Sequence, residues 1–269
     1  MHPAIFVVST GRCGTQWLAR FFEQNLGTAA TVTHEPLHSA WSPREMLGAK
    51  TPANLEANLR EPIAEHLSEI REALRSGGYI ECGHPMWSSL PFLIETFKPD
   101  VRIIHLVRHP VPTAWSWLTH RAYCEPLAPY LSEKVLLSPF DQGVAFCEYR
   151  DRWSAMSPYE KALYYWLEVN AFATRVQSQC DVPWMTVRFD HLFTAAAQRD
   201  LLRFVGASVD PIKTPGFVDE LRFGCEIAVD PAQVEKHSSV MQLAARFGFN
   251  ALSYDRAELE ERYLPQVPR

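Results

Sequence analysis

The segment Ser9-Thr10-Gly11-Arg12-Cys13-Gly14-Thr15-Gln16-Trp17 sets two glycines and an arginine between an apolar run, Ala4 to Val8, and a helical pattern carrying Leu18, Phe21 and Phe22. Strand, glycine loop and helix start in this order make a cradle for an anion, because unpaired backbone N–H groups and the positive end of a helix dipole point at one spot. Arg12 adds a full charge there. A second set of residues lies in Leu106-Val107-Arg108-His109-Pro110-Val111-Pro112-Thr113-Ala114-Trp115-Ser116. Arg108 leaves a strand, the prolines start a helix and Ser116 falls inside it, so a guanidinium and a hydroxyl converge on one phosphate. Two further groups suit proton transfer: Glu35 in Thr33-His34-Glu35-Pro36-Leu37-His38, and His84 in Glu81-Cys82-Gly83-His84-Pro85. Each also reads as plain structure, a Glu before Pro as a turn and a His beside Pro as a buried polar plug.

What the first loop lacks narrows the anion it suits. A magnesium-dependent nucleotide loop needs GxxxxGK[ST], with a lysine and a hydroxyl serving the β- and γ-phosphates and the metal. Here Gly11 and Gly14 stand too close and no lysine follows, and the strand that should end in aspartate ends in Arg108. This disfavours a P-loop nucleotide or small-molecule kinase and points to an anion held without a metal. The pairs His34/His38 and His105/His109 have no third ligand at matching spacing, so no metal is expected. A nucleotide-binding protein without catalysis is the alternative of a different class. It requires Glu35 and His84 both to point away from the ligand.

The elements that must position these groups alternate. Ala4 to Val8, Arg102 to Val107 and Trp184 to Phe189 read as buried parallel strands, with weaker ones at Ala30 to Thr33 and Tyr79 to Cys82. Helical patterns lie between and after them: Trp17 to Leu26, an amphipathic stretch from Leu55 to Leu74, Leu93 to Phe97, Thr113 to His120, Tyr159 to Gln179 and Ala197 to Phe204. The order predicts an α/β fold, a mainly parallel sheet flanked by helices, with every strand's C-terminal end on one ligand-binding edge. The proline-broken stretch 123–158 interrupts it as an excursion or lid, and beyond Pro211 no regular pattern emerges. Trp41, Trp87 and Trp153 fall in loops, where they line an acceptor pocket or cover the edges of the core.

Length and composition fit one domain over residues 1–269, long enough to bury a full core. A net charge of −5 argues against a general nucleic-acid binder, which needs a basic face. The chain enters its first strand at Ala4 without a basic leader, and no run reaches the length of a membrane span. The six cysteines, at 13, 82, 124, 147, 180 and 225, show no CxxC pair, as expected of reduced thiols in a cytoplasmic protein.

The segment Gly11 to Trp17 resembles the 5′-phosphosulfate loop of sulfotransferases that use 3′-phosphoadenosine-5′-phosphosulfate (PAPS). Arg12 stands where the cytosolic members have lysine, a feature of the tyrosylprotein and carbohydrate branches. The resemblance implies that Arg12 contacts the phosphosulfate, that Gly11, Cys13, Gly14, Thr15 and Gln16 wrap it and that Trp17 stacks on adenine. Cys13 and Gln16 replace the family's usual Ser and Thr. Arg108 through Ser116 is similar to the family's 3′-phosphate signature. The segment Val187 to Leu192, followed by Leu201 to Gly206, resembles its late strand, acidic turn and "FVG" helix, which makes Phe189 a neighbour of adenine. The C-terminal basic segment that also touches the 3′-phosphate in the family is not recognisable after Arg222, and Lys236 is the candidate substitute.

Glu35-Pro36-Leu37-His38 resembles the "EPLH" segment of carbohydrate sulfotransferases. Gly83-His84-Pro85 resembles the "KTHLP" segment that carries the catalytic histidine of the cytosolic branch, without its lysine. Together these imply transfer of a sulfuryl group from PAPS to a hydroxyl or amine of a small-molecule or carbohydrate acceptor. On this likeness Glu35 rather than His84 is the expected base, and Arg12 stabilises the leaving phosphate.

Overall fold

The computed structural model describes residues 3–48, 61–127, 129–216 and 227–264. Five strands, β1 (Ala4–Val8), β2 (Ala30–His34), β3 (Gly78–Cys82), β4 (Val101–Val107) and β5 (Trp184–Arg188), form one parallel sheet in the order β2-β3-β1-β4-β5. β1 is apolar at every position because both of its faces are covered. Ala4, Phe6 and Val8 enter one core while Ile5 and Val7 enter the other, as a parallel sheet between helical layers requires. Helices α1 (Thr15–Leu26) and α7 (Ala195–Phe204) close the second face through Phe21, Phe22, Leu201 and Leu202. The opposite layer holds α2 (Pro43–Gly48), α3 (Glu61–Ser76), α4 (Leu90–Phe97), α5 (Pro110–Leu118), α6 (Pro158–Ser178), α8 (Ser238–Arg246) and α9 (Arg256–Tyr263).

The strands agree with the sequence reading to within a residue or two at their ends, and α1, α4, α5, α6 and α7 begin earlier than expected. α5 starts at Pro110 rather than Thr113 because proline tolerates the first helical position and His109 caps it, its Nδ1 accepting from the Val111 amide at 3.2 Å. Leu55 and Leu59 of the amphipathic stretch lie outside the described residues. The excursion after Tyr123 is packed against the helical layer: Tyr123 donates to the Leu137 carbonyl, and the Glu168 carboxylate of α6 accepts from the Ala145 and Phe146 amides. Trp41 and Trp87 are core residues, and Trp153 sits edge-on to Tyr123 and Tyr164, so all three cover the core. The C-terminal part, irregular by sequence, adds α8 and α9.

Strand order fixes the ligand edge. β1 is flanked by β3 and β4, so the residues that follow these three strands emerge side by side at the point where the order reverses. α6 secures the end of β4: the Trp166 indole donates to the Arg108 carbonyl at 2.9 Å, and Asn170 Oδ1 meets His105 Nε2 at 2.9 Å.

That clamp makes the fold sensitive to acid. Burial holds His105 down at about 4, and burial followed by Arg152 does the same to His237. Both histidines are fully buried. An unfolded histidine takes its proton near 6.5 and these do so only near 4, so the unfolded chain binds more protons between the two values. Stability therefore rises with pH through that window and is lost on acidification. Each group contributes up to about 3 kcal/mol. Thermal melts from pH 7 to 4.5 should fall steeply, and less steeply for His105→Asn; equal slopes would remove His105 from the account.

Candidate active site

The loop after β1 is framed by its own polar groups. Ser9 Oγ accepts from the Gly11 amide at 3.0 Å, and Cys13 Sγ donates to the Gly11 carbonyl at 3.1 Å. The Cys13 thiol is fully buried, and burial raises its pKa, so this side chain belongs to the frame and not to a ligand surface. Gly14, at φ 88°, starts α1 with no side-chain cap and no acid in the first turn. The helix thus leaves its first amides for an anion.

Arg12 sits at φ 58°, a left-handed conformation that costs a non-glycine residue about 1–2 kcal/mol. Its Nε donates to Ser116 Oγ on α5 at 3.1 Å. Arg108 answers from the end of β4: Nη1 donates to the Arg12 carbonyl at 2.8 Å and Nη2 to the Tyr263 hydroxyl at 2.9 Å, with the guanidinium 4.4 Å over the Phe189 ring. Burial first, and then Arg108, lower the pKa of Arg12. Two like charges confined this closely are stabilised by an anion between them.

Opposite stands a carboxylate–imidazole pair. Glu35 Oε1 accepts from His84 Nδ1 at 2.9 Å and from the His84 amide at 3.4 Å. Glycines permit this approach, since a Cβ at Gly11 would lie 2.9 Å from His84 Cγ and one at Gly83 only 2.7 Å from Glu35 Cγ. Burial alone would raise the Glu35 pKa; the charge and hydrogen bond of His84, then His34, overcome it and hold the carboxyl at about 2. Glu35 also has positive φ, 48°. His84 Nε2 is buried with no hydrogen-bond partner among the described residues. In the neutral tautomer that carries its proton at Nδ1, the ring presents a lone pair at Nε2.

These groups share one cleft of about 420 Å³, where Arg12, Arg108, Glu35 and His84 meet the start of α1 at Gly14, Thr15 and Gln16. Phe189 and Trp17 form a wall. Trp17 is only 4% exposed: its ring stacks on Phe21 at 5.3 Å and its indole N–H donates to the Pro215 carbonyl at 2.9 Å. It therefore offers a ligand little area, and the half-buried Phe189 is the larger aromatic surface. Gly11, Cys13 and Ser116 stand behind the lining rather than in it. Among the described residues no group of three or more His, Cys, Asp or Glu is placed to hold a metal, and no helix is long and apolar enough to cross a membrane.

Sequence reasoning missed several lining residues. Trp117 donates its indole N–H to the Thr10 carbonyl at 3.1 Å and sets its ring edge-on to His84. His120, four positions after Ser116, was readable from helical spacing; burial, then Arg12, lower it to about 4. Tyr130 and Leu131 arrive from the excursion and Arg262 from α9, none with a motif. Lys236, the candidate C-terminal contact, is exposed on a short 3-10 turn and lines neither this cleft nor its neighbour.

Comparison with known proteins identifies the family and the fold. A family model described as "Sulfotransferase domain" matches residues 2–171. No curated protein sequence matches the chain. Among solved structures, a sulfotransferase from Alicyclobacillus acidocaldarius aligns at 19% identity and TM-score 0.52 over 97% of this chain and 99% of that one. The sulfotransferase domain from the curacin biosynthetic pathway aligns at 15% identity and TM-score 0.49 over 98% of this chain and 99% of its own.

Proposed function

The chain belongs to the sulfotransferase family, and on that premise we propose that it transfers a sulfuryl group from PAPS to a hydroxyl or amine of a small-molecule or carbohydrate acceptor. What carries the reading is a single cleft lined by Arg12 and Arg108, linked through the Arg12 carbonyl, and by a carboxylate-held imidazole with an unpartnered Nε2. Arg12 and the first amides of α1 suit the 5′-phosphosulfate and Arg108 the 3′-phosphate, while Ser116 holds Arg12 from behind the lining. The kinase reading finds no support in this cleft, whose described lining holds no lysine and a single carboxylate, Glu35, already tied to His84.

For Glu35 and His84 we infer the reverse of the division of roles expected from the sequence. A carboxylate at about 2 is a poor base near neutral pH, and its Oε1 is committed to the imidazole. We assign His84 Nε2 as the base and Glu35 as the group that orients it. The acceptor oxygen or nitrogen forms a bond to sulfur as the bond from sulfur to the bridging phosphate oxygen breaks. The acceptor's proton passes to Nε2, the electron pair leaves on the phosphate, and Arg12 balances that charge while Glu35 balances the imidazolium.

The donor assignment is tested by calorimetry with 3′-phosphoadenosine-5′-phosphate (PAP). Binding should survive a chelator, and Arg108→Ala should weaken it by roughly 10- to 100-fold, as for a lost charge-assisted hydrogen bond. Loss of binding in chelator, or equal affinity for PAP and AMP, would overturn the assignment.

A further inference from the structure

Between β2 and α2 the backbone turns three times into the left-handed region without a glycine: Glu35, His38 and Ser42 have φ of 48°, 44° and 42°. Such a conformation persists only where its surroundings over-determine it. At the start of this bend the Glu35 amide donates to the Cys82 carbonyl at 3.1 Å. At its end Trp41 is buried, 1% exposed, and its indole N–H donates to Glu81 Oε1 at 3.2 Å. Both anchors belong to β3, the strand that runs on into His84. Glu81 is itself only 1% exposed. His66 of α3 meets its Oε2 through Nε2 at 2.8 Å, and the Tyr79 hydroxyl donates to the same oxygen at 2.9 Å. Tyr79 spends its proton there, so Thr33 on β2 donates to the Tyr79 oxygen, at 3.0 Å. Burial alone would lower the pKa of His66; the hydrogen bond and charge of Glu81, then Glu69, overcome it and raise it.

We propose that Glu81 and Trp41 are positioning residues for the base: they pin the bend from Glu35 to Ser42 against β3, and the pinned bend holds Glu35 Oε1 on His84 Nδ1. This role rests on the parts already assigned to Glu35 and His84. A buried carboxylate–imidazole pair gives little net stability over apolar residues of the same volume, so the orientation it imposes is the better reason for its presence in this core. Each oxygen of Glu81 is bonded, to the bend on one side and to α3 and its own strand on the other, which fixes the carboxylate between them. The approach of Glu35 to His84 leaves no slack, since a Cβ on Gly83 would lie 2.7 Å from Glu35 Cγ. A shift of the bend therefore moves the carboxylate off the ring.

The experiment labels the histidines of the full chain with ¹⁵N and locates the ring proton of His84 by NMR at pH 8, where an ordinary imidazole is neutral, the signal being identified by its absence from His84→Gln. In the wild type the proton should sit on Nδ1, the nitrogen that meets the carboxylate. Trp41→Phe keeps a buried ring and deletes one N–H; Glu81→Gln deletes the charge. In both, the Nδ1–H signal should be lost as the released ring exchanges its proton between nitrogens, while the signal of His105, held by Asn170, stays unchanged. Tyr149→Phe, which removes a buried hydroxyl from His237 Nδ1 and changes a residue lining neither the cleft nor its neighbour, should keep the wild-type spectrum of His84. Retention of the Nδ1–H signal in both variants overturns the proposal and leaves the pairing of Glu35 with His84 standing. A wild-type proton on Nε2 overturns that pairing itself. Loss of the His105 signal, or of the His84 signal in Tyr149→Phe, marks general damage to the fold and counts against the proposal. Melting curves establish folding, and if Glu81→Gln fails to fold, Trp41→Phe alone decides.

Discussion

Replacing His84 by Gln is expected to lower turnover by about 10²- to 10⁴-fold, the usual worth of a positioned general base, with PAP affinity essentially unchanged. Glutamine preserves a donor toward Glu35 Oε1 but offers no basic lone pair where Nε2 stands. Glu35→Gln keeps an acceptor against Nδ1 and removes only the charge that balances the imidazolium, so its loss should be the smaller of the two. A carboxyl held at about 2 stays ionised throughout the working range, and any acid limb of activity between pH 5 and 7 therefore does not come from Glu35. Steady-state kinetics on both variants, with PAP calorimetry as the control for folding, check the assignment. If Glu35→Gln is the more damaging, the carboxylate itself is the base.

Arg12→Ala should cost kcat about 10²- to 10³-fold while weakening PAP much less, because charge grows on the bridging oxygen only as the sulfuryl group departs. The geometry favours this split. Arg12 is held by Ser116 through Nε alone, which leaves its Nη groups for the reacting phosphosulfate, and its left-handed backbone places it at the tip of the loop. Arg12→Lys should restore part of the rate, since it returns the charge without the fork. An equal fall in kcat and in PAP affinity would make Arg12 a binding residue only.

Much of this was legible in the sequence, for physical reasons that differ by residue. β1 announces itself because a strand buried on both faces must be apolar at every position, and the glycine loop after it must feed a helix. Arg108 and Ser116 sit on one short strand-to-helix unit, so local spacing carries their placement after β4 and on α5, and there Ser116 bonds to Arg12. What local sequence does not carry is whatever depends on the far side of a contact. Trp17 is expected to stack on adenine, yet Phe21, four residues on in the same helix, covers one face of its ring. The roles of Glu35 and His84 hinge on which imidazole nitrogen the carboxylate meets, and no sequence pattern encodes that. Arg262 and Tyr263 reach the site only through packing of α9 on α5, so they carry no local signature.

The side-by-side exit of Gly11, His84 and Arg108 from β1, β3 and β4 has a consequence for how the molecule folds. Each residue is brought to its neighbours by a crossover connection, so the cleft comes into being only when the three central strands have zipped together, and loop-closure entropy is spent before any ligand contact returns it. Occupancy and native sheet are two readings of one cooperative event, and whatever binds there stabilises the whole sheet against unfolding, by an amount that grows with the logarithm of its concentration.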